Sequence, residues 1–399
     1  MENYEQSKIG SKAHTVLHCI DLSSPDIHQS VSLLKQACLD CGFFYVINHG
    51  ISQEFMDEVF TQSKRFFNLP LNEKIKVLRN EKHRGYTPLH DELLDPDTQV
   101  HGDYKEGYYI GVEVPEGDPE SEKPFYGPNV WPAPDILPGW RETMDRFHQE
   151  ALEVAKVVAR IIALALDLNT DFFDKPEILG EPIATLRLLH YEGQTSDPSK
   201  GIYGAGAHSD FGLITLLATD EVLGLQICKD KDAKPQIWEY VPPLKGAFIV
   251  NLGDMLERWS NCVFKSTLHR VLGNGRERYS IAYFVEPSHD CVVECLPTCK
   301  SEKNPPNAIS PDMPPHQHII NTIHKVIDDG GSKQRPLGAV HLGPFQSPNS
   351  HSPISKKFPD PAGPFPYLQM QFDFYNLKYH PSSFSNLPNL QPNDNSSLS

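Results

Sequence analysis

The spacing of hydrophobic residues changes along the chain, and the first part alternates between helix and strand. Residues 23–42 have a Ser/Asp start, apolar side chains Val31, Leu34 and Cys38 at helical spacing, and a stop at Gly42. This combination predicts a capped amphipathic helix. A short apolar strand follows, FFYVINHG, and then two helical stretches, SQEFMDEVFTQSKRFFNLP and LNEKIKV. The N-terminal region is therefore predicted to be α/β.

The second part combines one long helix with many short strands. The helix is predicted from about Trp140 to Leu168, because one side of it collects apolar residues. These residues are Phe147, Leu152, Ala155, Val158, Ile162 and Leu166. Seven short alternating segments follow, with turn residues between them: IATLRLLHY, GLITLLATD, GLQICKD, IWEYV, AFIVNLG, STLHRVL and RYSIAYFVEP. Such a series favours a β-sandwich or jelly roll over a parallel sheet.

Proline usage separates the last part of the chain from the rest. Sixteen of the 35 prolines fall in the last 99 residues, among Ser, Asn, Gly and His. A segment of this composition buries too little apolar surface to offset its ordering entropy. We therefore predict a disordered tail over residues 307–399, and a flexible N-terminus over residues 1–14.

Charge and cysteine content restrict the partners and the compartment. The net charge of -16 argues against a nucleic-acid or anionic-membrane partner. No apolar run approaches the roughly 18–20 residues that span a bilayer, and the polar N-terminus lacks the apolar core of a signal peptide. Eight scattered cysteines fit free thiols in a reducing compartment. We expect a cytoplasmic monomer that binds neither nucleic acid nor membrane.

Much of the acidic excess is concentrated in one segment. Residues 91–122 carry eleven acids and a single base, Lys105. We predict an exposed loop with a solvated acidic surface, interrupted by the strand-like GYYIGVEV.

Three potential metal ligands stand out in the β-rich part. His208 and Asp210 are two residues apart in GAHSDFG, and His269 follows in STLHRVL. Residues i and i+2 of a strand point to the same face, so His208 and Asp210 can bind one ion together. Two imidazoles and one carboxylate are the donor set of non-haem Fe(II) oxygenases. The sequence therefore predicts an iron site.

A second pair of residues is suited to a carboxylate ligand. Arg278 and Ser280 are also two residues apart, in RYSIAYFVEP. A guanidinium donates two parallel hydrogen bonds to a carboxylate, and a neighbouring hydroxyl adds a third. A 2-oxo acid that chelates the iron through its other end would place its far carboxylate here.

These motifs, in this order, resemble the plant and fungal 2-oxoglutarate- and Fe(II)-dependent dioxygenases, the superfamily that includes isopenicillin N synthase. The resemblance spans about residues 15–306. Its motifs are IDLS, GFFYVINHG, FFNLPLNEK, GYTP, DYKEGYYIG, LRLLHYEG, HSD, NLGDMLERWSN, FKSTLHRV and RYSIAYFVEP. It implies an α+β fold: a double-stranded β-helix (jelly-roll) core, flanking helices and an α/β N-terminal region. Residues 15–135 would form the N-terminal region, and residues 136–306 the long helix with the catalytic domain.

The resemblance also implies roles for individual residues. His208, Asp210 and His269 would bind Fe(II), and Arg278 with Ser280 would bind the distal carboxylate of 2-oxoglutarate. Tyr191 stands where the family has a tyrosine that hydrogen-bonds this co-substrate, although a packing role in the barrel is the alternative. Family members often read Asn-Tyr-Tyr-Pro here, whereas this chain reads LHYE over residues 189–192. The asparagine that assists the co-substrate is therefore missing.

The implied reaction is oxidation of a small organic molecule. O2 is consumed, 2-oxoglutarate yields succinate and CO2, and ascorbate is a candidate reductant. The aromatic residues Tyr108, Tyr109 and Phe284 either line the substrate pocket or pack in the core.

Two other functions remain open at this point. One is an iron-dependent oxidase of the same fold that does not use 2-oxoglutarate, as in isopenicillin N synthase or aminocyclopropane-carboxylate oxidase. The other is a non-catalytic barrel that acts as a binding module. The end of the chain also has two explanations, since family members continue into a helix that covers the barrel mouth. The proline-rich tail is either a genuine extension or an alternative end that replaced this helix, and the abrupt break favours the second.

Overall fold

Hydrophobic faces on two β-sheets and three helices build a layered structure. The computed structural model describes residues 16–302 and residue 305. The predictions for residues 1–14 and 307–399 lie outside the described residues. The helices are α1 (Ile27–Asp40), α2 (Gln53–Phe67), α3 (Leu71–Lys74), α4 (Trp140–Ala165) and α5 (Asp254–Trp259). The strands are β1 (Cys19–Asp21), β2 (Phe43–Ile47), β3 (Gly85–Thr87), β4 (Glu106–Gly111), β5 (Ile183–Tyr191), β6 (Ala205–His208), β7 (Ile214–Thr219), β8 (Leu225–Asp230), β9 (Ile237–Tyr240), β10 (Phe248–Leu252), β11 (His269–Val271) and β12 (Arg278–Glu286).

The strands form one large and one small sheet. The eight-stranded sheet has the order β1-β2-β10-β7-β12-β5-β4-β3, and the four-stranded sheet the order β6-β11-β8-β9. Strands of the N-terminal region therefore occupy both edges of the large sheet, with strands from later in the chain between them. Apart from the parallel pair β1–β2, all neighbouring strands run antiparallel. The predicted α+β class and jelly-roll core are confirmed.

The large sheet separates two hydrophobic cores. Alternate residues of β12, such as Ile281 and Tyr283, belong to the core that contains Phe147 of α4. Ala282 and Phe284 point the other way, into a core shared with residues of the small sheet. Strand alternation thus gives β12 one face toward the helices and one face toward the space between the sheets. The functional residues use the second face.

The local predictions agree closely with the observed helices. The side chain of Asp26 accepts the backbone N–H of Gln29 and caps α1, and α4 begins at the predicted Trp140. All seven predicted late strands are present, and the predicted strand-like segment contains β4. Strands β1, β3 and β6 are missed, because three or four residues are too few for a visible alternation. No helix among the described residues is long and apolar enough to cross a membrane.

The prediction of a fully solvated acidic segment is wrong at three positions. Asp103 and Glu106 are buried, and the side chain of Glu92 is only 13% exposed. Each is paired with a cation: Glu106 with Lys74, Glu92 with Arg187 and Lys105, and Asp103 with Lys105. Lys74 and Arg187 are distant in sequence, so the charge balance is invisible in the segment itself.

Candidate active site

The three predicted metal ligands converge at the end of one strand pair. His208 is the last residue of β6, and it lies directly opposite His269, the first residue of β11. Asp210 Oδ1 lies 3.8 Å from His208 Nε2 and 3.6 Å from His269 Nε2. One ligand atom from each residue lies within 4.8 Å of the others. The predicted metal triad is confirmed.

One step of the sequence argument needs correction. We expected His208 and Asp210 to share a strand face, but β6 ends at His208. The carbonyl of Asp210 accepts the backbone N–H of Asp254, at 2.7 Å, rather than a ladder bond. The chain turns here at a close backbone contact, since a side chain on Gly253 would overlap the carbonyl oxygen of Gly212.

Backbone carbonyls fix the orientation of both histidine rings. Nδ1 of His208 lies 2.8 Å from the carbonyl oxygen of Gly206, and Nδ1 of His269 lies 3.0 Å from that of Thr267. Because a carbonyl only accepts, each Nδ1 carries the proton and donates it. Each Nε2 then keeps a lone pair directed toward the other ligands.

The carboxylate of Asp210 is oriented in the same way. Its Oδ2 accepts hydrogen bonds from Thr215 Oγ1 at 2.6 Å and from Asn251 Nδ2 at 2.7 Å. Oδ1 is left for a metal ion. Thr215 on β7 and Asn251 on β10 are paired across the sheet. Sequence reasoning missed both, and the only signal was a polar side chain in each of two apolar strands.

The electrostatics of the triad suit a divalent cation. Burial would raise the pKa of Asp210, but His269, His208 and Asn251 hold it well below its usual range. Burial lowers the pKa of His208 to about 4, and the neighbouring His269 adds to this shift. For His269, burial acts against the charged form, yet the Asp210 carboxylate raises its pKa overall. Two imidazole nitrogens and one carboxylate oxygen, already oriented by hydrogen bonds, fit Fe(II).

A cavity of about 560 Å³ opens beside the triad. This volume is typical of small-molecule sites. Of the predicted residues, Arg278, Ser280, Tyr191 and Phe284 line it together with the triad. Lining residues that the sequence reasoning missed are Phe43, Leu94, Lys105, Arg187, Leu217 and Leu225.

Arg278 and Ser280 lie at one end of this cavity. Nη1 of Arg278 donates to Ser280 Oγ at 3.2 Å, and Nε donates to the carbonyl of Val222 at 3.3 Å. The guanidinium carbon lies 5.0 Å from the ring centroid of Tyr191, which is directly opposite on β5. Arg278 is 4% exposed and Ser280 1%, so both polar groups face the cavity from within the protein.

The two remaining aromatic candidates do not line this cavity. Tyr108 is fully buried, its hydroxyl donates to the carbonyl of Val130, and its ring packs on Phe66 and Trp140. This is the core-packing alternative. Tyr109 lies behind the wall, because the guanidinium of Arg187 covers its ring at 4.5 Å.

The comparisons with known proteins agree with this geometry. Residues 17–134 match the N-terminal model of a non-haem dioxygenase in morphine synthesis, and residues 183–287 match the 2OG-Fe(II) oxygenase superfamily. Kihadalactone A synthase of Citrus sinensis is 54% identical over 314 residues, covering 78% of this chain and 93% of that protein. Azadirone synthase of Melia azedarach is 51% identical over 311 residues, covering 78% of this chain and 92% of that protein.

Solved structures show the same fold. A full-length Neurospora crassa structure in complex with alpha-KG and 5-formyluracil has a TM-score of 0.66 at 29% identity, covering 79% of this chain and all of that one. JOX2 in complex with 2OG, Fe and JA has a TM-score of 0.64 at 30% identity, covering 78% of this chain and 86% of that one. A triad that fits iron, at a cavity in this fold, is thus shared with relatives along most of the described chain. The chain belongs to the 2-oxoglutarate- and Fe(II)-dependent dioxygenase superfamily, in its plant and fungal branch.

Proposed function

We propose that this dioxygenase oxidises a largely apolar, oxygen-bearing secondary metabolite of the class that includes kihadalactone A and azadirone. The observation that carries the proposal is the cavity beside the triad, whose walls away from Arg278 include Phe43, Leu94, Leu217 and Phe284. Apolar walls with a few placed polar groups suit an apolar ligand that is oriented by a few hydrogen bonds. The two relatives named for making these compounds share more than half of their aligned residues with this chain.

We further propose that Arg278 and Ser280 bind the distal carboxylate of 2-oxoglutarate. A buried guanidinium without a carboxylate partner among the described residues needs an anion, and the co-substrate supplies one. Tyr191 supports the same site, because its hydroxyl has no hydrogen-bond partner among the residues that the structure describes. Leu189 stands where relatives of this family often have asparagine, so the hydroxyl of Tyr191 carries more of the orientation.

Arg187 is the proposed contact for an oxygen atom of the substrate. It lines the cavity on β5, four residues from Tyr191 and on the same strand face. Its Nη2 donates to Glu92, whereas Nη1 has no hydrogen-bond partner within residues 16–302. The charges of Arg187 and Lys105 are balanced by Glu92 and Asp103. A balanced cluster favours a neutral acceptor, such as a hydroxyl or carbonyl oxygen, over a second carboxylate.

When bound, iron and 2-oxoglutarate supply the oxidising chemistry. The residues of this chain orient the participants: Arg278 and Ser280 the co-substrate, Arg187 and the apolar walls the substrate. The walls also exclude water from the reacting atoms.

The proposal is tested by incubating purified full-length protein with Fe(II), 2-oxoglutarate and a panel of candidate molecules. Succinate is measured together with oxidised product. We expect neutral, apolar, oxygenated compounds to stimulate succinate release in step with product. Stimulation by small charged acids alone would contradict the proposed substrate class. Product formation without succinate would instead favour the iron oxidase that does not use 2-oxoglutarate.

A further inference from the structure

Asp103 connects the acidic segment to the strand that carries a metal ligand. It is fully buried. Its Oδ1 accepts the backbone N–H of Gly206 at 2.9 Å and Nε2 of Gln99 at 2.8 Å, and its Oδ2 accepts Nζ of Lys105. Gly206 lies on β6, two residues before His208. A side chain more than 100 residues away in sequence therefore holds this strand.

Strand β6 needs such support because of its place in the sheet. It is the edge strand of the small sheet, with β11 on one side only. Its register with β11 is irregular between the His269 and Val271 pairs, next to Gly206. The carboxylate of Asp103 takes the outward N–H that a further strand would otherwise bind. The segment also packs tightly here, since a side chain on Gly206 would overlap Oε1 of Gln99.

Gly206 in turn fixes the ring of His208. Its N–H is held by Asp103, and its carbonyl accepts Nδ1–H of His208 at 2.8 Å. Movement of Gly206 would release this bond and allow the imidazole to rotate. Nε2 would then no longer point at the site shared with Asp210 and His269.

Lys105 keeps the carboxylate of Asp103 in place. Its side chain is 3% exposed, and Nζ also lies 3.0 Å from Oε2 of Glu92. A buried carboxylate without a cation would be strongly unfavourable, so the lysine both compensates its charge and limits its rotation. The partner of Gly206 is therefore part of a charged, buried and rigid group.

We propose that Asp103 is a positioning residue for His208, held in place by Lys105, so that the acidic segment sets the geometry of the metal site. This is independent of the proposed substrate. Groups that orient metal ligands typically change metal affinity by about 10–100-fold when they are removed. We expect that range for loss of the acceptor at Gly206.

Two double variants of the full-length protein separate the acceptor from the charge. Asp103→Asn with Lys105→Met removes both charges and keeps an amide oxygen for the N–H of Gly206. Asp103→Ala with Lys105→Met removes both charges and the acceptor. Fe(II) dissociation constants are measured without oxygen by competition with a chelator, and the absorption spectrum of bound Co(II) reports ligand geometry. Glu116→Gln, an exposed acid of the same segment, is the matched control.

The proposal requires the two double variants to differ. The Asn/Met variant is expected to bind Fe(II) within about threefold of the original protein, with an unchanged Co(II) spectrum. The Ala/Met variant is expected to bind about 10–100-fold more weakly, with an altered spectrum. Equal affinities and spectra for the two variants would overturn it. If the Ala/Met variant does not fold, Gln99→Met removes one of the three donors to Asp103. It should weaken Fe(II) binding several-fold, and unchanged binding would likewise overturn the proposal.

Discussion

The two carboxylate oxygens of Asp210 have different tasks, and this asymmetry sets the first prediction. Oδ2 is held by Thr215 and Asn251, and Oδ1 is directed at the histidines. Asp210→Ala should lose tight iron binding and turnover while the circular dichroism spectrum stays that of a folded protein. Asn251→Ala, which removes only one hydrogen bond, should weaken Fe(II) binding by about 10-fold. Near-normal turnover of Asp210→Ala at low Fe(II) would refute the assignment.

Arg278 gives the second prediction at this scale. Arg278→Ala should raise the apparent KM for 2-oxoglutarate, since losing a charged contact in a buried site costs about 2–4 kcal/mol, or roughly 30–1000-fold. Arg278→Lys should rescue only part of this loss, because an ammonium cannot present the planar fork. The exposed Arg276, as Arg276→Ala, is the control. Steady-state kinetics with varied 2-oxoglutarate decide it, and an unchanged KM in Arg278→Ala would exclude the proposed clamp.

Glu92 gives a prediction about pH and stability. Although burial acts to raise its pKa, Arg187, Lys105 and Arg79 lower it well below 4.5. A carboxylate with a depressed pKa stabilises the folded state above its ordinary pKa, and this contribution is lost as the pH falls below it. Between about pH 5 and pH 3, the free energy of unfolding should therefore fall less steeply in Glu92→Gln than in the original protein. Urea denaturation over this range measures the slopes, with Glu116→Gln as control, and parallel curves for all three would contradict the prediction.

At the scale of elements, local signals were sufficient for helices and insufficient for the ends of strands. The cap at Asp26 and the periodicity of α4 are written in consecutive residues. The end of β6 at His208 depends instead on the close contact between Gly212 and Gly253, which are 41 positions apart. The strand-face argument for Asp210 consequently reached the right ligand by a wrong local geometry.

Helix α4 supplies a stability prediction. Phe147 is fully buried in the core between the helices and the large sheet. Phe147→Ala should lower the free energy of unfolding by about 3–5 kcal/mol, through lost burial and the remaining cavity. Leu71→Ala, at a leucine that is 57% exposed, should change it by less than about 0.5 kcal/mol. Chemical denaturation measures both, and a similar small effect at the two sites would show that α4 does not contribute in this way.

For the whole molecule, the sequence predicted what lies close along the chain and missed what the sheet brings together. The triad and the Arg278–Ser280 pair were visible because pairs two residues apart carry recognisable chemistry. Thr215, Asn251, Arg187 and Lys105 were not, because each meets its partners only through sheet order or a long connection. The buried charges of Glu92 and Asp103 failed for the same reason.

The location of the site predicts the outcome of shortening the chain. Every residue that lines the cavity lies between Phe43 and Phe284. A protein ending at residue 306 should therefore bind Fe(II) and 2-oxoglutarate within about twofold of the full chain, as measured by calorimetry without oxygen. A loss of affinity much greater than this, in a protein that still melts cooperatively, would place part of the site beyond residue 306.

The interleaved order of the large sheet affects how this enzyme can diversify. Residues 17–134 contribute Phe43, Leu94 and Lys105 to the cavity, whereas all three iron ligands come from later in the chain. Recombination between relatives that exchanged only the earlier segment would alter the surface met by the substrate and leave the iron ligands unchanged. Only exchanges in which the incoming edge strands still pair with β10 and β5 would fold. New substrate preferences can thus be inherited in one genetic step, within a limit set by strand pairing.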